Sequence, residues 1–241
     1  MTTPDEPQEG RWAKPVEHLE VGDLPDEALN LNVEGRALSG AVQGFGPLWQ
    51  KTYQIRLHEA KVTPQELIEV WKAEYPNFWP DNSNMYRVMA RLEPGDVGVI
   101  NASQSGLKLS TGVYVMYSDD VSFAFAVPQG HMLSGWITFS AHDDDGSTVA
   151  QVQPYFRTSD PLYDLAFKLY FDRKEDEIWH HTLRAIAERF GVKGDVQQES
   201  VRIDKKRQWK RAGNIRYNAG IHSAVYGLTT PFRWAGRKLR R

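Results

Sequence analysis

The run TVAQVQPYFRTSDPLYDLAFKLY, residues 148–170, decides the fold. Its first ten residues, rich in β-branched and aromatic types, read as a strand. The chain then changes character at Ser159-Asp160-Pro161. Asp160 suits a helix N-cap and Pro161 the first helical position. Leu162, Leu165, Ala166 and Leu169 follow at helical spacing. Ile178, Leu183, Ile186 and Phe190 resume that stripe, and Gly191 ends it. Between the halves lies the charged run DRKEDE, Asp172 to Glu177, which predicts a bend or a solvent-exposed stretch midway.

Upstream, six strand-like segments lie in succession: YRVMARL, DVGVINAS, GVYVMYS, VSFAFAV, GWITFSA and TVAQVQPYFR. The breaks EPGD, SQSG, SDD, PQGH and HDDDGS supply turn residues. With no helix-length pattern between them, the strands form an antiparallel meander. Earlier still, Tyr53, Ile55 and Leu57 alternate with Gln54, Arg56 and His58, a further strand. Thr63, Pro64 and Glu66 make a capping box with proline at the first helical position. Leu67, Ile68, Trp71 and Tyr75 are that helix's apolar face. The order is strand, helix, six strands, long helix. The expected class is α+β: a curved antiparallel sheet wrapped around a long C-terminal helix.

This order, with PQGHMLSGWITFSA (128–141) ahead of the opening run, resembles the helix-grip superfamily, SRPBCC. That group includes START lipid-transfer domains, polyketide cyclases, coenzyme Q-binding proteins and birch-pollen-type allergens. The resemblance is nearest to a bacterial branch with the GH-x-x-x-G strand and the SDP-opened helix, and it covers roughly residues 46–192. It implies a cavity between sheet and helix for a hydrophobic small molecule or lipid, and it implies no particular reaction. SGLKLSTG departs from the glycine-rich loop of the plant allergens.

Three segments follow from composition. Residues 1–45 are Pro-, Gly- and acid-rich and read as irregular, with a short docking segment at LNLNV; residues 46–192 form the body; residues 193–241 form a basic, aromatic-rich tail. The net charge of −2 conceals +10 on Lys193–Arg241 against −12 on the rest. Cysteine is absent, so disulfides and thiolate metal sites are excluded. The acidic, Pro-rich start lacks an apolar core and is not expected to act as a secretory signal, and no apolar run reaches the ~18 residues of a membrane span. The expected location is cytoplasmic, with peripheral attachment at the inner membrane face as an extension of the tail reading.

His131, after a Pro-Gln-Gly turn, is one catalytic candidate and Tyr155 the other. The imidazole could serve as base or ligand partner at the cavity mouth, or simply bond a backbone carbonyl in its hairpin. The motif holds no second nucleophile or carboxylate, so the hairpin role carries more weight. Tyr114, Met116, Phe123, Phe125, Trp136, Tyr155 and Arg157 are the ligand-lining candidates. Period-2 geometry groups Tyr114 with Met116, Phe123 with Phe125, and Tyr155 with Arg157. An inward Arg157 would anchor a carboxylate or keto oxygen; the plainer reading is ordinary sheet core.

No metal site or cofactor is expected. HDDDG (142–146) lacks the spaced carboxylates of a calcium loop. EDEIWHH pairs Asp176 with His180 and Glu177 with His181 at i,i+4 but is no HExxH, and exposed pairing explains it better. Phosphate-loop, dinucleotide and G-x-S-x-G signatures are missing.

In the tail, Trp209, Ala212, Ile215, Ala219, His222 and Tyr226 fall near helical spacing among the charges. An anionic membrane surface, the acidic body itself or a partner chain suits such a segment; nucleic acid is the least favoured partner. The preferred reading is binding of a hydrophobic small molecule or lipid. The rivals are a cyclase- or aromatase-like enzyme using the same cavity and an interaction module recruiting a partner through the tail.

Overall fold

The computed structural model describes residues 10–58, 60–80, 83–86, 92–104 and 107–238. Strand β1 (Leu48–Leu57) alternates buried and half-buried residues from Lys51 onward, as its sequence period requires. Helix α1 (Pro64–Ala73) starts at Thr63, whose hydroxyl accepts from Glu66 N while the Glu66 carboxylate accepts from Thr63 N. It buries Leu67, Ile68 and Trp71, and Tyr75 follows in a short 3-10 turn.

Six further strands come next: β2 (Ser83–Tyr86), β3 (Val97–Gln104), β4 (Leu107–Ser118), β5 (Ser122–Ala126), β6 (Leu133–Asp144) and β7 (Ser147–Thr158). The first was expected at Tyr86–Leu92; residues 87–91 of that stretch lie outside the described residues. All neighbouring pairs are antiparallel. An eighth strand, β8 (Gln197–Asp204), pairs with β1 at the far edge, giving the order β2-β3-β4-β5-β6-β7-β1-β8. The sequence had assigned this stretch to the tail. Seven of its eight residues are exposed, so it has no buried side-chain period to announce it. Backbone pairing to β1 holds it instead.

The long helix comes in three parts: α2 (Pro161–Ala166), a π-helical turn (Phe167–Phe171) and α3 (Asp172–Arg189). Asp160 caps it, accepting from Leu162 N and Tyr163 N at 2.8 and 3.0 Å. In α2 the buried face is not the expected leucine stripe. Tyr163, Asp164 and Phe167 turn inward, Phe167 edge-on to Phe156, while Leu162, Leu165 and Leu169 are exposed. The π turn carries an extra residue per turn and shifts the helix's phase. Beyond it, Trp179, Leu183, Ile186 and Ala187 face the sheet.

Two cores result. The inner one lies between the sheet, α1 and α3, and includes Tyr53, Ile55, Leu57, Phe123, Phe125, Phe139 and Val152. The outer one covers the opposite sheet face, where Leu19 and Val33 of the irregular N-terminal segment pack on Val97, Val99 and Tyr114. Val33 lies in the expected docking segment; Gly112 leaves it room, since a β-carbon there would sit 2.7 Å from Val33 Cγ2. Helix α4 (Ala219–Lys238) packs on the outer face of β4 through Ala219 and Ser223.

Candidate functional site

The space between sheet and α3 is filled with rings. Trp71 of α1 stands edge-on to Phe123 and Phe139, with centroids 5.9 and 5.4 Å away. Tyr75 meets Phe123, Phe125 and Phe139 at 5.3–5.8 Å. Trp179 of α3 closes the group against Phe139 and Trp79. The antiparallel sheet curves about the long α2–α3 helix, with the short α1 after its first strand. The fold is helix-grip.

The aromatic cluster contains an imbalance. The indole nitrogens of Trp71, Trp79 and Trp179 and the hydroxyls of Tyr75 and Thr182 are buried without a hydrogen-bond partner. Trp79 lies near enough to Tyr75 to act on its phenol, but neither completes a bond. Burial pushes the Tyr75 phenol well up, so it stays a neutral hydroxyl. An indole N–H can only donate. The cluster therefore offers apolar surface plus donors that lack acceptors.

Of the residues expected to line this space, Phe123 and Phe125 do so. Tyr114 and Met116 face the other side, against the N-terminal segment, and Tyr114 Oη donates to Lys14 O at 3.0 Å. Trp136 and Tyr155 stack on each other at 4.6 Å, also on the outer face, opposite one another in the β6–β7 register. Arg157 shares Tyr155's face, as its spacing required, but its guanidinium is buried in chain contacts. It donates to Gly46 O at 2.6 Å, Lys206 O at 3.0 Å and Asp204 Oδ2 at 2.6 Å. His131 is turned back into its own hairpin, where Nδ1 accepts from Leu133 N at 3.0 Å. Burial draws its pKa down to about 4, so the ring is neutral near pH 7.

A second assembly, missed in the sequence, lies beside the π turn. Lys51 Nζ is 2.7 Å from Asp172 Oδ1, 3.1 Å from Glu175 Oε2 and 2.7 Å from Asp176 Oδ1. Tyr53 Oη donates to the same Asp176 oxygen at 2.5 Å. The run DRKEDE is thus not simply solvent-exposed, since Glu175 is buried. Burial raises the Glu175 carboxyl to about 7 against the pull of Lys51. Burial opposes the Lys51 charge, but Glu175 and the hydrogen bonds to Asp172 and Asp176 outweigh it and hold its pKa above the ordinary lysine value. Burial and the nearby carboxylates push the Tyr53 phenol up as well. The three carboxylates lie close enough together to bind a cation, and the Lys51 ammonium already fills that role. The signal was present: Lys51 shares the face of Tyr53, Ile55 and Leu57, so it had to be buried and needed anions.

Beside it, an open groove of about 480 Å³ runs between α3 and β8, lined by Arg173, Asp176, His180, His181, Arg184 and Gln198, among others. His180 Nε2 and Gln198 Oε1 are 3.0 Å apart.

No protein-family model matches the sequence, and no curated protein does. Solved structures of similar form include Ara h 8.0201 (TM-score 0.43, 15% identity, 59% of this chain and 97% of that one). TTHA0849 from Thermus thermophilus is similar at TM-score 0.44 and 13% identity, over 60% of this chain and 97% of that one. The di-domain ARO/CYC StfQ from the steffimycin biosynthetic pathway is similar at 0.45 and 13%, over 61% and 53% of the two chains.

Proposed function

We propose that the chain binds an apolar small molecule bearing acceptor oxygens, held in the aromatic space between the sheet and α3. One observation carries this reading: the unpartnered N–H and O–H groups of Trp71, Tyr75, Trp79 and Trp179 within a single ring cluster, with the buried Thr182 hydroxyl three residues on from Trp179 in α3. Each buried donor without an acceptor costs ~1–3 kcal/mol, and native cores rarely leave several together. A ligand with carbonyl, ether or ester oxygens would supply the acceptors while its apolar part packs on the rings. Trp79, the half-buried member, is the ring that yields to admit it.

Binding is preferred over a cyclase-like reaction because of where the two catalytic candidates lie. Tyr155 is on the opposite face of the sheet, and the His131 ring is spent on its own turn.

Native mass spectrometry of the purified chain, followed by denaturation and organic extraction, tests the reading. The expected result is a co-purifying apolar, oxygen-bearing compound, and displacement by a naphthoquinone probe that quenches tryptophan emission in the wild type and less in Trp179→Phe. An empty protein that also ignores the probe, or a crystal structure with ordered waters on all these donors, would overturn it.

A further inference from the structure

Residues 205–241 carry eleven Lys or Arg and no Asp or Glu. If this segment served only to neutralise the acidic body, its cations would be paired there. Among the described residues, Arg207 is paired, its Nε 2.8 Å from Asp164 Oδ2. Lys205, Lys206, Lys210 and Arg216 are exposed and make no ion pair with a carboxylate among the described residues.

Apolar exposure accompanies this charge. Helix α4 buries Ala219 and Ser223 on one side. Its opposite side presents Ile221, Val225 and Leu228 at i, i+4 and i+7, the last two 54% and 74% exposed. Phe232 continues that spacing in the sequence. Trp209 and Ile215, just before the helix, are exposed as well, Trp209 at 71%. The Arg207–Asp164 pair ties this segment to α2, whose Leu162, Leu165 and Leu169 are also open to solvent.

We infer that the segment from Lys205 through α4 docks on an anionic lipid bilayer surface. Unpaired cations meet the headgroups, and the Ile221–Val225–Leu228 stripe enters the interfacial region. No helix among the described residues is long and apolar enough to cross a membrane, so the contact is with the surface. Nucleic acid would match the cations but leave the aliphatic stripe in water, which is why the lipid is favoured. The inference is independent of what the interior holds.

The test is co-sedimentation of the full chain with vesicles of phosphatidylcholine alone, or with a quarter phosphatidylglycerol, at physiological salt. Binding to the anionic vesicles should exceed that to the neutral ones about tenfold. Val225→Asp with Leu228→Asp should reduce it to the neutral level. Lys205→Gln, Lys206→Gln, Lys210→Gln and Arg216→Gln together should do the same by a separate route, with circular dichroism showing each variant folded. Several results would overturn the inference. One is no preference for anionic vesicles. Another is tighter binding to duplex RNA or DNA that Val225→Asp/Leu228→Asp leaves unchanged. A third is a dimer in solution that those two substitutions dissociate.

Discussion

Lys51 Nζ and Asp176 Oδ1, from residues 125 positions apart, meet at 2.7 Å beneath the π turn of the long helix. The contact ties β1, next to the β8 edge of the sheet, to the start of α3, just past the point where the helix changes phase. Lys51 is the sole cation among the described residues contacting Asp172, Glu175 and Asp176. Removing it leaves a buried carboxyl beside two others. Lys51→Met should therefore cost about 3–5 kcal/mol in urea unfolding, and adding Glu175→Gln should recover part of that. Full stability in Lys51→Met would show that the cluster is solvated rather than buried.

The Glu175 carboxyl has an ordinary value of 4.5 and is lifted to about 7 by burial, with Asp176 and Asp172 adding to the rise. Between those values the native chain holds a proton that the unfolded chain has released. The associated stability is fully present below 4.5 and is lost as pH rises through about 7. Unfolding midpoints should fall across this window, by on the order of 1–3 kcal/mol in free energy. Glu175→Gln should flatten the slope. An unchanged slope in that variant would assign the titration to another group.

Thr182 is fully buried on α3, and its hydroxyl lacks a partner. Thr182→Val keeps the shape and removes the orphan group. The empty protein should gain about 1 kcal/mol of stability while its affinity for an acceptor-bearing ligand falls. A loss of thermal stability would mean that the hydroxyl is already satisfied.

What the sequence disclosed follows from whether the cause was local. The Thr63 capping box and the Tyr53–Ile55–Leu57 alternation depend on near neighbours, and both stand as read. Trp71 and Tyr75 were legible as one face of the first helix, but Trp79, the next residue in that four-residue repeat, lies beyond Pro76 and was left in the loop. Strand β8 was hidden because an exposed edge strand obeys no burial period. The α2 leucines misled for the opposite reason: their spacing is helical, but Asp160, Tyr163 and Phe167 fix which face turns inward. Lining residues were assigned to strands correctly and to faces less well. A strand's two faces look alike when the N-terminal segment and α4 cover the outer one.

Arg157 is the joint between sheet and C-terminal segment, binding Gly46 O, Lys206 O and Asp204 at once. Nη1 serves the two carbonyls and Nη2 the carboxylate, a two-nitrogen fork that the single nitrogen of a lysine cannot reproduce. Arg157→Lys should destabilise by about 2–4 kcal/mol and release the 205–218 stretch to trypsin before global unfolding. If Arg157 instead anchored a ligand, the variant would lose binding with the stretch still protected.

Gly130, in the turn before His131, has φ +94°, and a β-carbon there would lie 2.0 Å from Tyr217 O. The turn thus needs glycine twice, for its backbone conformation and for the close approach of the C-terminal segment. Ala219 N donates to Gly130 O at 2.9 Å across this contact. Asn218 Nδ2 reaches Asp160 Oδ2 at 2.8 Å, and Gly220 N reaches Tyr163 Oη at 2.8 Å. One added methyl should therefore unseat the start of α4 from the long helix's N-terminus as well as from the turn. Gly130→Ala should speed tryptic cleavage at Arg211 and Arg216 and lower the melting temperature. Gly227→Ala, where a β-carbon meets open space on the exposed side of α4, should raise stability by up to about 1 kcal/mol. Equal protection of Arg216 in Gly130→Ala and wild type would mean that the segment is held elsewhere and that the turn merely borders it.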